Sequence, residues 1–167
     1  MTDFSSKFVV YYNVFQYNDP AVNGGKDIDC KLTVSLDYPL VNKASDYTVS
    51  VIKGKFDLTS TQIPLGNAPN PLDKILINSA TLSVIGSLYS NNLQSQTLID
   101  IDNIQYQQDA QLYFVPPYPV CLTLNNPTPI QLIDIQAIAQ FEDGSQQPLK
   151  LAPSKSWSCR LAFIRRY

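Results

Sequence analysis

Two pairs of aspartates have the spacing that could collect ligands for a hard cation. Asp27 with Asp29, and Asp100 with Asp102, each place two carboxylates on one face of an extended segment, since side chains two residues apart point the same way in a strand. Calcium takes such oxygen ligands, but neither pair has the glycine turn and distal glutamate of an EF-hand loop. We therefore expect solvated strand ends or turn caps in preference to a cation site, and we predict no metal and no cofactor.

Residues that commonly perform catalysis are scarce. The sequence has no histidine and a single glutamate, Glu142, so the commonest general base and half of the usual carboxylate pool are missing. Cys30, Cys121 and Cys159 lie far apart without a CxxC motif, and we expect them to be buried as small apolar residues. Lys53-Gly54-Lys55 lacks the frame of a phosphate-binding loop. The sequence therefore predicts that the protein is not an enzyme; an enzyme here would need paired carboxylates across a cleft.

Charge and hydropathy exclude further classes of partner. The chain carries 14 acidic and 12 basic side chains, for a net charge of -2, which leaves no excess positive charge for a phosphate backbone or an anionic membrane. No segment approaches 18 consecutive apolar residues, and the N-terminal residues lack the pattern of a signal peptide. We therefore predict no direct contact with nucleic acid and no membrane partner.

The elements that must position these residues are strands. Short runs rich in valine, isoleucine, threonine and aromatic residues are bounded by proline, glycine and asparagine, which predicts an all-β fold. A hydrophobic content of 44% in 167 residues suffices for one core, so we expect a single domain over residues 1–167. The third predicted strand is expected to bend at Gly54, residues 72–78 are either a helical turn or a strand start, and residues 116–120 form an edge, loop or arm. Eight strands, the number in a jelly-roll sandwich, are predicted at residues 8–17, 30–36, 47–58, 80–89, 96–102, 111–115, 133–141 and 157–167.

Aromatic residues and arginines indicate surfaces for association. The first predicted strand has two aromatic faces and is expected to be covered on both sides, by the chain's own loops or by another subunit. All three arginines lie in the last eight residues, and arginine suits a bidentate contact with a neighbour's carboxylate; a solvated strand end is the alternative. The candidate subunit-interface residues are Tyr11, Tyr12, Phe15, Tyr17, Arg165, Arg166 and Tyr167.

Three stretches carry a resemblance to a known family. They are FVVYYNVFQYND at residues 8–19, YPLVNKASDYTVSVIKGKFDLTSTQIPL at residues 38–65, and SKSWSCRLAFIRRY at residues 154–167. In the second, a Ser-Asp-Tyr step at residues 45–47 introduces a strand that ends in a proline bend at Ile63 and Pro64. Together they resemble the penton-like minor capsid proteins of virophages and Polinton-type viruses.

This resemblance implies a single eight-stranded jelly roll that assembles as a homopentamer at the five-fold vertices of an icosahedral shell. It also implies a location in the virion, assembly in the host cell, and a neighbouring major capsid protein. It supplies no catalytic residue. The alternative from the sequence is a lectin-like or receptor-attachment β-sandwich, for which a trimer is one option, in which Trp157 and the tyrosines stack on sugar rings.

Overall fold

The computed structural model describes residues 8–57, 72–85, 97–102, 111–118 and 120–166. Strands are the main regular structure of these residues and helices are few and short, so the predicted all-β class is confirmed. A four-residue helix, α1 (Pro20–Asn23), and a 3-10 turn at Ala44–Asp46 are the helical elements among them. The thirteen strand segments are β1 Val9–Tyr17, β2 Ile28–Asp29, β3 Lys31–Ser35, β4 Tyr47–Asp57, β5 Leu72–Asn78, β6 Val84–Ile85, β7 Thr97–Ile101, β8 Gln111–Phe114, β9 Leu122–Leu124, β10 Leu132–Phe141, β11 Gln146–Pro148, β12 Lys150–Leu151 and β13 Ser156–Arg165.

The strands form two main antiparallel sheets. In the first, the order is β1-β13-β4-β9-β6, and β8 pairs with β4 on the same side as β9. In the second, the order is β11-β10-β5-β7, and β3 pairs with β10 beside β11. A two-stranded ladder joins β12 to β2. Buried side chains from both main sheets belong to one hydrophobic cluster, so the sheets face each other as a sandwich.

Alternation of side chains decides which residues reach this core. Along β10 the odd-numbered residues from Ile133 to Phe141 are buried and the residues between them are not, as the sequence predicts. Phe56 of β4 and Trp157 of β13 stack in the first sheet with ring centroids 5.7 Å apart and planes inclined by 8°. Both rings are almost fully buried, and they form the largest aromatic contact recorded in the described core.

Strand β4 has an irregularity two residues before Gly54, the position of the predicted bend. The irregularity in its pairing with β13 falls at Ile52, where Val51 pairs with Leu161 but Lys53 pairs with Arg160. This bulge inserts one residue and reverses which residues face inward. Val49 and Val51 therefore face the core before the bulge, and Phe56 faces it afterwards.

The predicted strand at residues 80–89 is wrong in its first half. Only Val84–Ile85 is a strand there, and residues 86–89 lie outside the described residues. The carboxylate oxygen Oδ1 of Asp134 accepts hydrogen bonds from the backbone N–H groups of Ala80 (2.7 Å) and Thr81 (2.9 Å) and from the hydroxyls of Ser79 and Thr81. These bonds hold residues 79–81 in a turn in place of a sheet ladder.

Other predictions have mixed outcomes. Residues 72–78, left open by the sequence, are the strand β5, and the described residues of 116–120 contain no strand. The sequence analysis misses β2, β9, β11 and β12, which have two or three residues each and are too short to show a period. The predicted positions outside the described residues are Leu58, Ile63, Pro64, Gln96, Pro119 and Tyr167.

Asn18 is the buried polar residue that joins the end of β1 to three other segments. Its side-chain Nδ2 donates to the carbonyls of Lys26 and Leu151, both at 2.8 Å, and its Oδ1 accepts from Asn23 at 3.1 Å. Its backbone N–H donates to the carbonyl of Lys155 at 2.9 Å. Because the residue is 0% exposed, each of these groups would lose its partner without access to water.

We predict that Asn18→Ala lowers the free energy of unfolding by about 2–3 kcal/mol, because it removes a buried bond to the Leu151 carbonyl and a partly buried bond to the Lys26 carbonyl. Urea denaturation followed by circular dichroism measures the change. Asn125→Ala is the matched control, because Asn125 is exposed, and it should change stability by less than about 0.5 kcal/mol. Equal effects of the two substitutions would contradict the role assigned to Asn18.

The cysteines divide into two buried residues and one exposed residue. Cys30 and Cys159 are buried, as predicted, whereas Cys121 is exposed, contrary to the prediction. Burial raises the pKa of the Cys30 and Cys159 thiols from 9.0 to about 12, with the neighbouring Asp29 carboxylate adding to the effect at Cys30. Both thiols therefore favour the fold below pH 9, and this contribution is lost as the pH rises toward 12.

We predict that one thiol per native chain reacts with the thiol reagent DTNB at pH 8, and that three react in denaturant. Cys121 is the reactive group, because a buried thiol is both inaccessible and protonated at this pH. The release of thionitrobenzoate, measured by absorbance, counts the thiols. Cys121→Ser should abolish the native reaction, and a fast native reaction in that variant would contradict the burial of the other two.

Candidate subunit-interface surface

The aromatic residues of β1 divide between the two faces of the sandwich. Tyr11, Phe15 and Tyr17 point outward, with 48%, 61% and 49% of their surface exposed. Tyr12 points the other way and packs against the core, where burial raises the pKa of its hydroxyl above the usual 10.0. The described chain by itself therefore does not cover both sides of β1, and coverage of the outer side by another subunit stays a prediction. We call Tyr11, Phe15 and Tyr17 the aromatic patch.

The patch lies on the first strand of its sheet. β1 pairs with β13 over its whole length, from Val9 opposite Ile164 to Tyr17 opposite Ser156. No strand pairs with its other edge among the described residues. An exposed aromatic row beside an unpaired edge combines apolar area with free backbone donors and acceptors, which are the groups that a second polypeptide can use.

The three arginines do not form one cluster. The guanidinium of Arg160 lies over the ring of Tyr11, 4.4 Å from its centroid, so Arg160 belongs to the face that carries the aromatic patch. Arg165 is exposed at the end of β13, and its backbone N–H donates to the carbonyl of Phe8 at 3.0 Å. The guanidinium of Arg166 donates to the carbonyl of Ser45. Arg166 thus binds its own chain, whereas the side chain of Arg165 is exposed.

A groove of about 310 Å³ crosses the same outer face. Two rows of paired residues line it, and we call it the outer-face groove. One row holds Asn13, Arg160 and Lys53, contributed by β1, β13 and β4. The other row, across β1, β13, β4 and β8, holds Phe15, Ser158, Lys55 and Tyr113.

Sequence reasoning treated Lys53 and Lys55 as exposed strand lysines and did not single out Tyr113. The sequence does contain a sign of the bulge in β4. Val51 and Phe56 are both apolar but lie an odd number of residues apart, so a regular strand would place them on opposite faces. A continuous strand cannot bury both on one face, so a bulge is required between them. Such a bulge places Lys53 and Lys55 together on the outer face.

The two aspartate pairs each have a lysine neighbour. The ammonium of Lys150 forms an ion pair with the Asp29 carboxylate, and Asp27 is exposed. The ammonium of Lys74 lies 3.7 Å from Asp100 and 3.9 Å from Asp102. Within the described parts of the chain, no group of three or more metal-ligating side chains comes together. A cation at either pair would have to displace a lysine that already balances the charge.

Trp157 is unavailable for the stacking that a sugar-binding surface would need. Only 1% of its surface is exposed, and its indole N–H donates to the side-chain oxygen of Gln16. The exposed aromatic residues on this face are those of the aromatic patch and Tyr113. No helix among the described residues is long and apolar enough to cross a membrane.

Comparisons with known proteins identify the fold. No protein-family model and no curated protein sequence matches the chain. The mavirus penton protein superposes with a TM-score of 0.71 and 9% sequence identity, over 95% of this chain and 100% of that chain. A chain in the 3.5 Å electron cryo-microscopy structure of the Sputnik virophage gives a TM-score of 0.70 at 12% identity, over 95% of this chain and 99% of that chain.

The two similar chains are matched along essentially their full length, so the agreement concerns the whole fold and not a shared pair of sheets. The jelly-roll fold predicted from the strand pattern is confirmed by this agreement, whereas the count of eight strands stays a prediction. The resemblance to penton-like virophage proteins that the sequence carries is confirmed at the level of the fold: this chain has the fold of the mavirus penton protein.

Proposed function

We propose that the protein is a structural capsid protein, a penton that forms homopentamers at the five-fold vertices of an icosahedral virion. The observation that carries the proposal is the full-length match to the mavirus penton protein. In this role residues 1–167 act as one jelly-roll domain, assembled in the host cell next to a major capsid protein of the same virus. The role requires no catalysis, no cofactor, no membrane and no direct contact with nucleic acid.

The surface of the described residues supports association. Tyr11, Phe15 and Tyr17 expose about half or more of their area along a single strand, and aromatic residues of this kind are enriched at protein interfaces. A ring of five requires a heterologous contact, in which one patch meets a different patch on the next copy. The aromatic patch on one copy would then be covered by another surface of its neighbour.

Composition gives a second line of support. Charged residues make up 16% of the chain and aromatic residues 11%, and interface cores are depleted in charge and enriched in tyrosine and phenylalanine. The lectin-like alternative gains nothing from Trp157, which is buried. A β-sandwich that exposes three aromatic residues along one strand is better suited to a flat protein contact than to a sugar pocket.

We predict that the purified protein has the mass of five chains of 18.7 kDa, because a penton must close a five-fold ring. Size-exclusion chromatography with light scattering gives the mass, and electron-microscope class averages give the symmetry. A trimer would contradict the penton and favour the attachment module. A monomer at all concentrations would contradict self-assembly of the isolated chain.

We predict that Phe15→Ser weakens the assembly without unfolding the domain, because Phe15 is 61% exposed and contributes little to the core. Loss of one aromatic anchor costs about 2 kcal/mol per contact, roughly thirtyfold in its association constant. Arg165→Ser should act in the same direction. Arg166→Ser is less informative, because Arg166 also binds Ser45 of its own chain.

Tyr38→Ser is the matched control for Phe15→Ser. Tyr38 is 84% exposed but lies in the segment between β3 and β4, outside the strand that carries the aromatic patch. Dilution series by light scattering compare the concentration at which each variant dissociates, and circular dichroism checks that each remains folded. A Phe15→Ser protein that dissociates at the same concentration as Tyr38→Ser would remove the patch from the interface.

A further inference from the structure

The outer-face groove concentrates positive charge in a protein whose net charge is -2. Lys53 and Lys55 are exposed and Arg160 is half-buried, and all three line the groove. None of the described lining residues is acidic. No ion pair joins any of these three cations to a carboxylate among the described residues. Their charge is therefore free to meet a carboxylate supplied from outside.

Arg160 is the part of the groove that is already arranged for a ligand. Its guanidinium is held over the Tyr11 ring at 4.4 Å, and its Nε is buried without a hydrogen-bond partner. The Nε has no surface open to the groove, so a bound carboxylate would pair with the terminal nitrogens of the guanidinium. Because the stack on Tyr11 restricts the side chain, little further ordering is needed on binding.

The dimensions of the groove limit what fits into it. Phe15 and Tyr113 lie on β1 and β8, the outer two of four adjacent strands, which are about 14 Å apart at the usual strand spacing. An extended peptide advances roughly 3.3 Å per residue. Four or five residues therefore reach from one aromatic ring to the other, with the cations between them.

We propose that the outer-face groove binds a short extended segment of another polypeptide, in which a carboxylate lies two residues from each of two apolar side chains. These three side chains point to the same side of the segment, so the carboxylate faces Lys53, Lys55 and Arg160 while the apolar side chains rest on Phe15 and Tyr113. A polyphosphate ligand is disfavoured, because the protein as a whole repels it and the aromatic ends of the groove offer it no charge. Phe15 belongs both to this groove and to the aromatic patch, so a pentamer contact that covers Phe15 competes with the segment for this end of the groove.

The test uses a fluorescein-labelled peptide, Gly-Leu-Asp-Glu-Asp-Leu-Gly, and the full-length protein. Fluorescence anisotropy should show saturable binding that weakens as salt is added, because exposed ion pairs are screened. Lys53→Gln with Lys55→Gln should weaken it about fivefold to tenfold. Tyr113→Ala should also weaken it, whereas Lys26→Gln with Lys31→Gln, exposed lysines that do not line the groove, should leave it unchanged.

Three outcomes would overturn the inference. The peptide fails to bind, or its neutral counterpart with Asn-Gln-Asn at the centre binds equally well, or the two lysine double variants bind with the same affinity. A fourth outcome would show that the occupant of the groove is a second copy of this chain and not a different polypeptide. In that outcome, Lys53→Gln with Lys55→Gln changes the mass measured by light scattering. Since the mass of the unaltered protein is measured independently, failure of the groove and failure of the penton assignment are distinguishable.

Discussion

The register between β1, β13 and β4 is the constraint on which the rest of the structure depends. Each residue of β13 from Ser156 to Ile164 is opposite a β1 residue, and most are also opposite a β4 residue. Because successive side chains alternate between faces, burying Trp157, Cys159 and Leu161 sends Ser158 and Arg160 outward. A slip of one residue would expose the aromatic stack and bury the arginine, so the core and the outer face are fixed together.

Polar bonds at the end of β1 tie this register to the rest of the sandwich. Gln16 donates from Nε2 to the carbonyl of Asp29 at 3.1 Å and accepts at Oε1 from the backbone N–H of Lys31 at 3.1 Å and from the Trp157 indole. Asn18, two residues later, bonds to Lys26 in the segment before β2 and to Leu151 of β12. Buried side-chain amides are costly unless satisfied, and here each supplies several bonds to segments distant in sequence. The outer face can therefore vary while these two residues hold the strand in place.

Long, regular strands were predictable from the sequence because their period of two is visible over many residues. β10 illustrates this, since its alternation runs unbroken from Ile133 to Phe141. The turn at Ser79 to Thr81 was not predictable, because its cause is the Asp134 carboxylate, more than fifty residues away in the chain. Short strands such as β9 owe their conformation to their neighbours in the sheet, and local sequence carries too little of that information.

The candidate site was predictable in part for the same reason. The sequence identifies Tyr11, Phe15 and Tyr17 as aromatic residues of one strand, but deciding that they face solvent and that Tyr12 faces the core requires knowing which face the second sheet covers. The pairing of Arg160 with Tyr11 and the row from Phe15 to Tyr113 arise only when four strands, drawn from separate parts of the chain, are placed side by side. Association surfaces on a sandwich are therefore properties of strand order more than of any single segment.

The division between the faces of the first sheet also separates stability from assembly. Phe56, Trp157 and Leu161 are buried, and their transfer from water stabilises the isolated chain. About half or more of the surface of Phe15, Tyr17 and Tyr113 remains exposed. Their burial lowers the free energy of the system only when another molecule covers them. This separation suits the proposed capsid role, because such a chain can fold before it meets its neighbours and then associate through residues that folding has left uncovered. The bulge at Ile52 contributes to both the core and the outer face. It keeps Val51 and Phe56 in the core, and it brings Lys53 and Lys55 to the surface, where a partner can reach them.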